Sequence, residues 1–297
     1  MRKVTIIGVP MWLGQTHFGT HLGPDAIRSA GLIEQLQLSH SEVVDAGNLP
    51  INIEIDVVCS SNSCIVRNLE GVCAGVSRLA EKVAQTVKDR RFPLILGGDH
   101  SSSIGSLNGL SRHYRNLGVI WYDAHADSNT PETSPSGNAQ GMPLAASLGL
   151  GHPDLIEIGG YRHKVKAENV VLIGIRDIDP GEKQLIQEKQ IKTFTAEDVH
   201  RLGISAVMEE TIAYLGRQCD GIHLSFDMDV IDPSEACGVG TPVAGGISMD
   251  SNLQAMNILA QSKVITSADF VELNPLLDKD NQTAKAAVAL IQALLTD

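Results

Sequence analysis

The sequence predicts an α/β fold in which a mostly parallel β-sheet carries α-helices on its faces. Short runs of β-branched residues alternate with longer amphipathic segments along the whole chain, which is typical of this class. Of the 297 residues, 43% are hydrophobic and 20% are charged, as in ordinary globular proteins. Because no linker, repeat or low-complexity stretch interrupts the alternation, we expect residues 1–297 to form a single domain.

Eight segments are predicted to form strands, because each is a short apolar run of the length and composition that strands favour. In chain order they are residues 4–9, 42–45, 93–96, 118–123, 169–175, 191–194, 222–227 and 264–272.

The segments between the strands predict helices. One helix starts at Pro24, since proline is favoured in the first helical turn. Residues 66–90 and 196–215 show apolar residues at spacings of three and four, Ser248 can cap a helix that follows it, and residues 283–295 form the last helix. Eight strands with intervening helices suit either a (β/α)₈ barrel or an open three-layer sheet. In both, functional groups gather at the carboxyl ends of the strands.

Charge and cysteine content exclude several classes of partner. The chain has 23 Lys and Arg against 35 Asp and Glu, a net charge of −12, so nucleic acid is disfavoured. The apolar stretches are too short to cross a bilayer, and the N-terminus lacks a secretory signal, so we expect no membrane partner. An odd number of scattered cysteines predicts a reduced, cytoplasmic setting and no disulfide; they are Cys59, Cys64, Cys73, Cys219 and Cys237.

The densest cluster of potential metal ligands follows the strand at 118–123. Asp123, His125 and Asp127 are spaced at i, i+2 and i+4, so in extended backbone their side chains project to one side. Grouping these side chains without a cation is unfavourable, because the carboxylates repel and burial penalises each charge. The spacing therefore predicts a divalent metal ion.

Two further strand ends carry the same chemistry. The strand at 222–227 ends in Asp227, with Asp229 two residues later, and the strand at 93–96 is followed by a Gly-Gly turn and His100. A single Asp-x-Asp at a strand end is most often a turn or helix cap, but three clusters in one chain are hard to explain in that way. Two imidazoles and four carboxylates suit Mn²⁺, Mg²⁺ or Fe²⁺. Six ligand groups favour two ions sharing carboxylates and activating a water for hydrolysis.

These clusters and several other segments resemble the arginase/agmatinase (ureohydrolase) family, and among its members the bacterial arginases. The motifs are Gly8-Val-Pro-Met, Gly23-Pro24-Asp25-Ala-Ile-Arg28, Gly97-Gly98-Asp99-His100-Ser101, Asp123-Ala-His125-Ala-Asp127, Thr133-Ser-Pro-Ser136-Gly137-Asn138, Ser225-Phe-Asp227-Met-Asp229, Gly240-Thr241-Pro242-Val and Glu272-Leu-Asn274-Pro275. The resemblance implies a three-layer α/β/α fold with a central eight-stranded, mostly parallel sheet. It also implies two Mn²⁺ ions and hydrolysis of a guanidino group to urea and an amine.

The resemblance also implies roles for the clustered residues. One ion would be held by His100, Asp123, Asp127 and Asp227, and the other by Asp123, His125, Asp227 and Asp229. A hydroxide bridging the ions, hydrogen-bonded to Asp127, would attack the guanidinium carbon. Glu272 would pair with the guanidinium group. The catalytic residues are thus expected to be Asp127, Glu272 and the residue at position 140.

The resemblance further implies L-arginine as substrate, with L-ornithine and urea as products. Hydroxyl and amide donors suit its carboxylate, and an acid suits its ammonium. Agmatine lacks the carboxylate and would leave such donors unpaired. Agmatine and guanidinobutyrate remain alternative substrates, and a trimeric or hexameric homo-oligomer is expected. The implied substrate-binding residues are His125, Asn129, Ser136, Asn138, Asp179, Glu182, Thr241 and Glu272.

Gln140 is the main departure from the family pattern, which has a histidine there that is thought to relay protons. Glutamine can hydrogen-bond but cannot titrate, so we expect a slower enzyme or a metal-binding paralogue with weak or no activity. Milder departures near the expected site are Trp12, His17, Val230 and Cys237. The histidines outside the clusters are expected to be structural; they are His21, His40, His113, His152, His163, His200 and His223.

Overall fold

The computed structural model describes residues 2–39, 42–51 and 66–296, in which eight strands form one sheet. All pairings are parallel, and the order is β2-β1-β3-β8-β7-β4-β5-β6. Since β2 and β6 are the edges, the sheet is open and the barrel alternative is wrong. The strands are β1 (Lys3–Gly8), β2 (Glu42–Asn48), β3 (Phe92–Leu96), β4 (Leu117–Tyr122), β5 (Val170–Ile175), β6 (Lys192–Thr195), β7 (Gly221–Asp227) and β8 (Ile265–Val271).

Eleven α-helices occur in the described part of the chain. They are α1 (Gly23–Ser29), α2 (Leu32–Ser39), α3 (Leu69–Lys88), α4 (Ser103–Ser111), α5 (Pro143–Ser147), α6 (Pro153–Ile156), α7 (Pro180–Lys189), α8 (Ala196–Leu202), α9 (Ile204–Gly216), α10 (Met249–Ser262) and α11 (Gln282–Leu295). Pro24 lies in the first turn of α1, and the Ser248 side chain accepts a hydrogen bond from the Ser251 backbone N–H at the start of α10, as the sequence predicts.

Hydrophobic side chains pack on both faces of the sheet, because successive residues of a strand point to opposite sides. Ile6 of β1 belongs to a core that includes residues of α1, α2 and α8 to α11. Its neighbour Ile7 belongs to a second core that includes residues of α3 to α6. The predicted three-layer α/β/α architecture is therefore confirmed.

The single helix expected over residues 196–215 is wrong, because the segment forms two helices, α8 and α9. Gly203 separates them with a φ of +83°. Helical backbone needs a negative φ, and glycine adopts a positive one at little steric cost. The apolar spacing continues through the break, which explains why the pattern alone did not reveal it. His40, Cys59 and Cys64 lie outside the described residues.

The Gly-Gly turn after β3 brings two chain segments into close contact. A Cβ atom on Gly98 would lie 1.8 Å from the backbone oxygen of Met11, so no other residue fits without moving the backbone. The Asp99 backbone N–H donates a hydrogen bond of 2.9 Å to that same oxygen. The turn thereby fixes the start of the segment that contains His100.

Three of the five cysteines lie among the described residues. Cys73, Cys219 and Cys237 are free. Within residues 2–39, 42–51 and 66–296, no helix combines the length and apolarity needed to cross a membrane.

Candidate active site

Four neighbouring strands in the middle of the sheet, β3, β8, β7 and β4, supply the clustered polar residues. His100 follows β3, Glu272 follows β8, Asp227 ends β7 and Asp123 follows β4. Since parallel strands end at the same edge of a sheet, residues separated by more than 170 positions in the chain (His100 and Glu272, 172 apart) come into contact.

The first group of potential ligands surrounds the His100 ring. Its Nδ1 atom lies 3.1 Å from Asp123 Oδ2, 2.9 Å from Asp127 Oδ2 and 3.1 Å from Asp227 Oδ2. The nitrogen is buried and has no hydrogen-bond partner within the described ranges. One nitrogen facing three carboxylate oxygens is an arrangement that a shared cation would satisfy.

The second group lies beside the first and shares Asp123 with it. His125 Nδ1 is 3.0 Å from Asp229 Oδ2 and 3.5 Å from Asp123 Oδ1. His100, Asp123 and Asp227 form one triad whose ligand atoms all lie within 4.8 Å of one another, and Asp123, His125 and Asp229 form another. The two oxygens of Asp123 therefore face different triads.

Burial and mutual repulsion raise the pKa of two of these carboxyl groups, whereas neighbouring imidazoles lower the pKa of a third. Burial, together with the charge of Asp123, raises the pKa of Asp127 to about 7. Burial and two neighbouring carboxylates raise the pKa of Asp227 well above its usual range. Burial opposes ionisation of Asp123 as well, but the nearby imidazole rings of His100 and His125 hold its pKa well below the usual range. The cluster therefore needs positive charge to ionise fully.

The donor set fits a pair of divalent cations. It offers two imidazoles and four carboxylates with no thiolate, and such oxygen-rich sets suit Mn²⁺, Mg²⁺ or Fe²⁺. Apart from His125, which is partly exposed, its members are at most 7% exposed, and buried carboxylates without a cation are strongly disfavoured. The residues present are thus compatible with the metal chemistry that the sequence predicts.

Two site residues have strained backbone conformations. Asp127 has a φ of +48° and Glu272 a φ of +65°, in the left-handed region that non-glycine residues rarely adopt. Such conformations cost about 1–3 kcal/mol each and persist where the surrounding structure enforces them. Both residues line one cleft at the edge of the sheet.

Glu272 is held by two hydrogen-bond donors from other parts of the chain. The His100 backbone N–H donates to Oε1 at 2.8 Å, and Gln15 Nε2 donates to Oε2 at 3.1 Å. Gln15 Nε2 also donates to Thr20 Oγ1 at 3.0 Å, which fixes the orientation of the amide. Burial, together with Asp99, raises the pKa of Glu272 well above its usual range, so a cationic partner would favour its ionised form.

A cleft opens above these groups. Every residue predicted to bind substrate lines it, as does Gln140; the buried carboxylates of Asp123 and Asp229 lie outside its lining. The lining residues are His100, His125, Asp127, Asn129, Ser134, Pro135, Ser136, Asn138, Gln140, Gly141, Asp179, Glu182, Asp227, Thr241 and Glu272.

Asp179 and Glu182 form a capping box at the start of α7. Glu182 Oε2 accepts a hydrogen bond of 2.9 Å from the Asp179 N–H, and Oε1 accepts one of 2.8 Å from the Ser128 N–H. Asp179 Oδ2 accepts from Asn129 Nδ2 at 2.9 Å. Both carboxylate oxygens of Glu182 thus accept hydrogen bonds from backbone N–H groups. This gives Glu182 a structural role that the sequence did not suggest.

The polar loop at 134–138 lines another part of the cleft. Arg67, just before α3, holds this loop, because Arg67 Nε donates a hydrogen bond of 2.9 Å to the backbone oxygen of Ser136. Within the loop, the Asn138 N–H donates to Ser136 Oγ at 3.2 Å. Asn138 Oδ1 is buried and has no hydrogen-bond partner in the part of the chain that the structure describes. The loop therefore presents polar groups to a ligand.

Comparison with known proteins identifies the fold family. Residues 2–296 match the Arginase family. The chain belongs to the arginase family. The arginase of Bacillus caldovelox is 55% identical over 294 residues, which cover 99% of this chain and 98% of that protein.

Solved arginase structures agree with this assignment. A native structure of Bacillus caldovelox arginase has a TM-score of 0.97 and 54% identity and covers 100% of this chain and 99% of that one. The Entamoeba histolytica arginase in complex with L-ornithine has a TM-score of 0.90 and 35% identity, with 100% of both chains covered. The predicted family, fold and enzyme class are confirmed, since arginases are metal-dependent hydrolases of carbon–nitrogen bonds in linear amidines.

Against the arginase-family pattern, Gln140 is the one departure noted above that lines the cleft; Trp12, His17, Val230 and Cys237 do not line it. Gln140 Oε1 is buried without a hydrogen-bond partner among the described residues. Its backbone N–H donates to the Gly14 oxygen at 3.0 Å. The glutamine therefore sits where its side chain can face a ligand.

Some site residues were missed from the sequence. Gln15 lies in no recognised motif, and only the folded chain brings it to Glu272. Ser134 and Pro135 line the cleft. Both lie inside the polar motif at 133–138, so this motif could have indicated them as site residues. Trp121 Nε1 donates a hydrogen bond of 3.0 Å to Asp123 Oδ2, and the Trp121 ring stacks on the His100 ring with their centroids 4.2 Å apart. In the sequence Trp121 is indistinguishable from an ordinary apolar strand residue.

Proposed function

We propose that the protein hydrolyses L-arginine to L-ornithine and urea with the help of two Mn²⁺ ions. The observation that carries the proposal is the convergence of two His/Asp triads, sharing Asp123, beside the buried carboxylate of Glu272 in one cleft. The ligand sets are those of the sequence analysis. One ion would be held by His100, Asp123, Asp127 and Asp227, and the other by Asp123, His125, Asp227 and Asp229.

The preference for Mn²⁺ rests on the donor set, which is rich in carboxylate oxygens with two imidazoles. When bound, such ions supply the positive charge that lowers the pKa of water and stabilises negative charge developing on the substrate. The triads would hold that charge at the carboxyl ends of β3, β7 and β4, three strands of the same parallel sheet.

Glu272 binds the guanidinium group, and Asp127 orients the attacking water. The Glu272 carboxylate, fixed by Gln15 and the His100 N–H, binds the guanidinium group by a charge-assisted hydrogen bond. Asp127 lines the same cleft and accepts a hydrogen bond from the attacking water. The water oxygen adds to the guanidinium carbon, the bond to the alkyl nitrogen breaks, and the leaving amine takes up a proton. Gln140 can orient these groups, but it supplies no proton of its own.

The outer part of the cleft binds the amino-acid head of the substrate. Asn129, Ser136 and Asn138 donate to the α-carboxylate, whereas Asp179 accepts from the α-ammonium group, with Glu182 supporting Asp179. His125 and Thr241 complete the wall; Thr241 Oγ1 donates to Asp229 Oδ2 at 3.2 Å. These donors favour L-arginine over a substrate without a carboxylate.

Further expectations belong to this proposal. Residues 1–297 act as one catalytic domain, and a trimeric or hexameric homo-oligomer follows from family resemblance. A cytoplasmic location is supported by the free cysteines Cys73, Cys219 and Cys237.

A urea-release assay tests the function. The protein is incubated with Mn²⁺ and L-arginine, agmatine or 4-guanidinobutyrate, and the chelator-treated protein serves as the control. We expect the highest kcat/KM with L-arginine and no urea from the metal-free protein. A higher kcat/KM with agmatine or guanidinobutyrate would establish the alternative substrate. Bound Mn²⁺ without urea from any of the three would establish an inactive paralogue. This is the second candidate because Gln140, which lines the cleft, cannot titrate.

Replacing Gln15 by leucine is expected to raise KM for L-arginine about 5- to 150-fold with little change in kcat. Loss of the amide leaves Glu272 Oε2 without its donor, and an unsatisfied buried acceptor costs about 1–3 kcal/mol. Steady-state kinetics at saturating Mn²⁺ measure the effect. Thr20→Val removes the other partner of the same amide and is the matched control. Equal KM values for the two variants would contradict a role of Gln15 in guanidinium binding.

A further inference from the structure

A buried polar network lies beneath His100 on the side away from the clustered carboxylates. It contains Ser225 of β7, Asp269 of β8, and Ser103 and Ser106 of α4, and none of the four has any exposed surface. None of these residues lines the cleft. A fully buried carboxylate is unfavourable unless hydrogen bonds satisfy it, so the network needs an explanation beyond packing.

The hydrogen bonds of the network have a fixed direction. An ionised carboxylate only accepts, so Ser103 Oγ donates to Asp269 Oδ2 at 2.8 Å and Ser106 Oγ donates to Oδ1 at 2.9 Å. The Ser103 hydroxyl has one proton, and it donates that proton to Asp269. In the 3.2 Å hydrogen bond between Ser103 Oγ and Ser225 Oγ, the donor is therefore Ser225. Ser225 in turn accepts from His100 Nε2, which lies 2.9 Å away.

This direction determines which ring nitrogen of His100 carries hydrogen. With the proton on Nε2, the lone pair of a neutral ring lies on Nδ1, which faces the oxygens of Asp123, Asp127 and Asp227. A metal-binding histidine commonly has its second nitrogen fixed in this way by an acceptor. Trp121 stacks on the ring with an interplanar angle of 9° and restricts its tilt.

We propose that Asp269 is a positioning residue for the metal site, acting through Ser103 and Ser225 to hold His100 in its metal-binding tautomer. The inference rests on the metal-binding part of the proposed function. His223 extends the network on the far side, because its Nδ1 is 2.9 Å from Ser267 Oγ and its Nε2 is 3.2 Å from Asp269 Oδ2. The hydrogen bonds that Asp269 receives within the described residues therefore include those of Ser103 and Ser106, whereas His223 Nε2 lies near the carboxylate without a hydrogen bond.

A pair of serine variants on one helix tests the proposal. Ser103→Ala breaks the path to His100, whereas Ser106→Ala removes an equally buried hydroxyl from the other oxygen of the same carboxylate and leaves the path intact. We expect Ser103→Ala to raise the dissociation constant of one Mn²⁺ ion about 10- to 100-fold, as the loss of groups that orient metal ligands typically does. Ser106→Ala should change it less than about 5-fold, because Ser106 lies outside the path from Asp269 through Ser103 and Ser225 to His100.

Binding is measured with the full-length, metal-stripped protein by Mn²⁺ titration and electron paramagnetic resonance of free Mn²⁺. Thermal unfolding of the metal-free variants monitors a purely structural effect, which should lower both midpoints alike. Asp269→Asn is the second test and should weaken Mn²⁺ binding as Ser103→Ala does. Equal Mn²⁺ affinities for the two alanine variants would overturn the inference alone. Absence of Mn²⁺ binding by the unaltered protein would overturn the proposed function together with it.

Discussion

Asp123→Asn is expected to lower Mn²⁺ affinity and urea release by more than about 100-fold. Loss of a group that only orients a ligand costs about 10- to 100-fold, and Asp123 belongs to both triads. Its oxygens already accept from Trp121 Nε1 at 3.0 Å and from the His125 N–H at 2.7 Å. The amide nitrogen of asparagine would therefore face another donor in either orientation. Mn²⁺ titration and the urea assay measure the two effects separately.

Asp177→Asn provides the matched control for this substitution. Asp177 Oδ2 lies 3.8 Å from His125 Nε2, but the side chain is 67% exposed. Exposed ion pairs contribute about 0–1 kcal/mol, so a change of less than about 5-fold is expected. A loss for Asp123→Asn no larger than that of the control would show that Asp123 does not bridge two ions.

Gln140→His is expected to raise kcat for L-arginine by at least about 10-fold, since a positioned acid–base group contributes about 10²- to 10⁴-fold. Gln140 lines the cleft and has a buried, unpartnered Oε1 among the described residues, so an imidazole there would face the reacting groups. The pH profile of kcat should gain an ionisation near the usual histidine pKa of about 6.5.

The control for this substitution is Gln140→Asn, which keeps an amide and cannot titrate. It should show neither the rise in kcat nor the new ionisation. An unchanged kcat in Gln140→His, measured with both Mn²⁺ sites filled, would mean that proton transfer at this position does not limit the rate.

The sheet and the metal-ligand positions could be predicted from the sequence because both depend on local patterns. Each strand is an apolar run between polar segments, and its observed bounds differ from the predicted ones by at most three residues. Asp123, His125 and Asp127 lie within five consecutive residues, so their grouping is local. The expected extended backbone is wrong, because β4 ends at Tyr122, the chain bends after it, and Asp127 has a φ of +48°. The parallel arrangement of the strands also predicted that their carboxyl ends meet at one edge of the sheet.

The supporting contacts could not be predicted, because they join residues far apart in the chain. Gln15 and Glu272 are 257 positions apart, and Ser103 and Asp269 are 166 apart. Neither Gln15 nor Ser103 belongs to a pattern that distinguishes it from an ordinary loop or helix residue. The break at Gly203 was missed for another reason, since the apolar spacing on its two sides is helical and only the positive φ interrupts it.

The capping box of α7 has a consequence for engineering the specificity of this cleft. Asp179 begins the helix, receives the Asn129 amide and is itself held by Glu182, which also fixes Ser128. A designer who replaced Asp179 to accept a substrate without an amino group would therefore also remove a helix cap and the acceptor of the Asn129 amide. Redesign of selectivity here requires a new helix cap as well as a new binding residue.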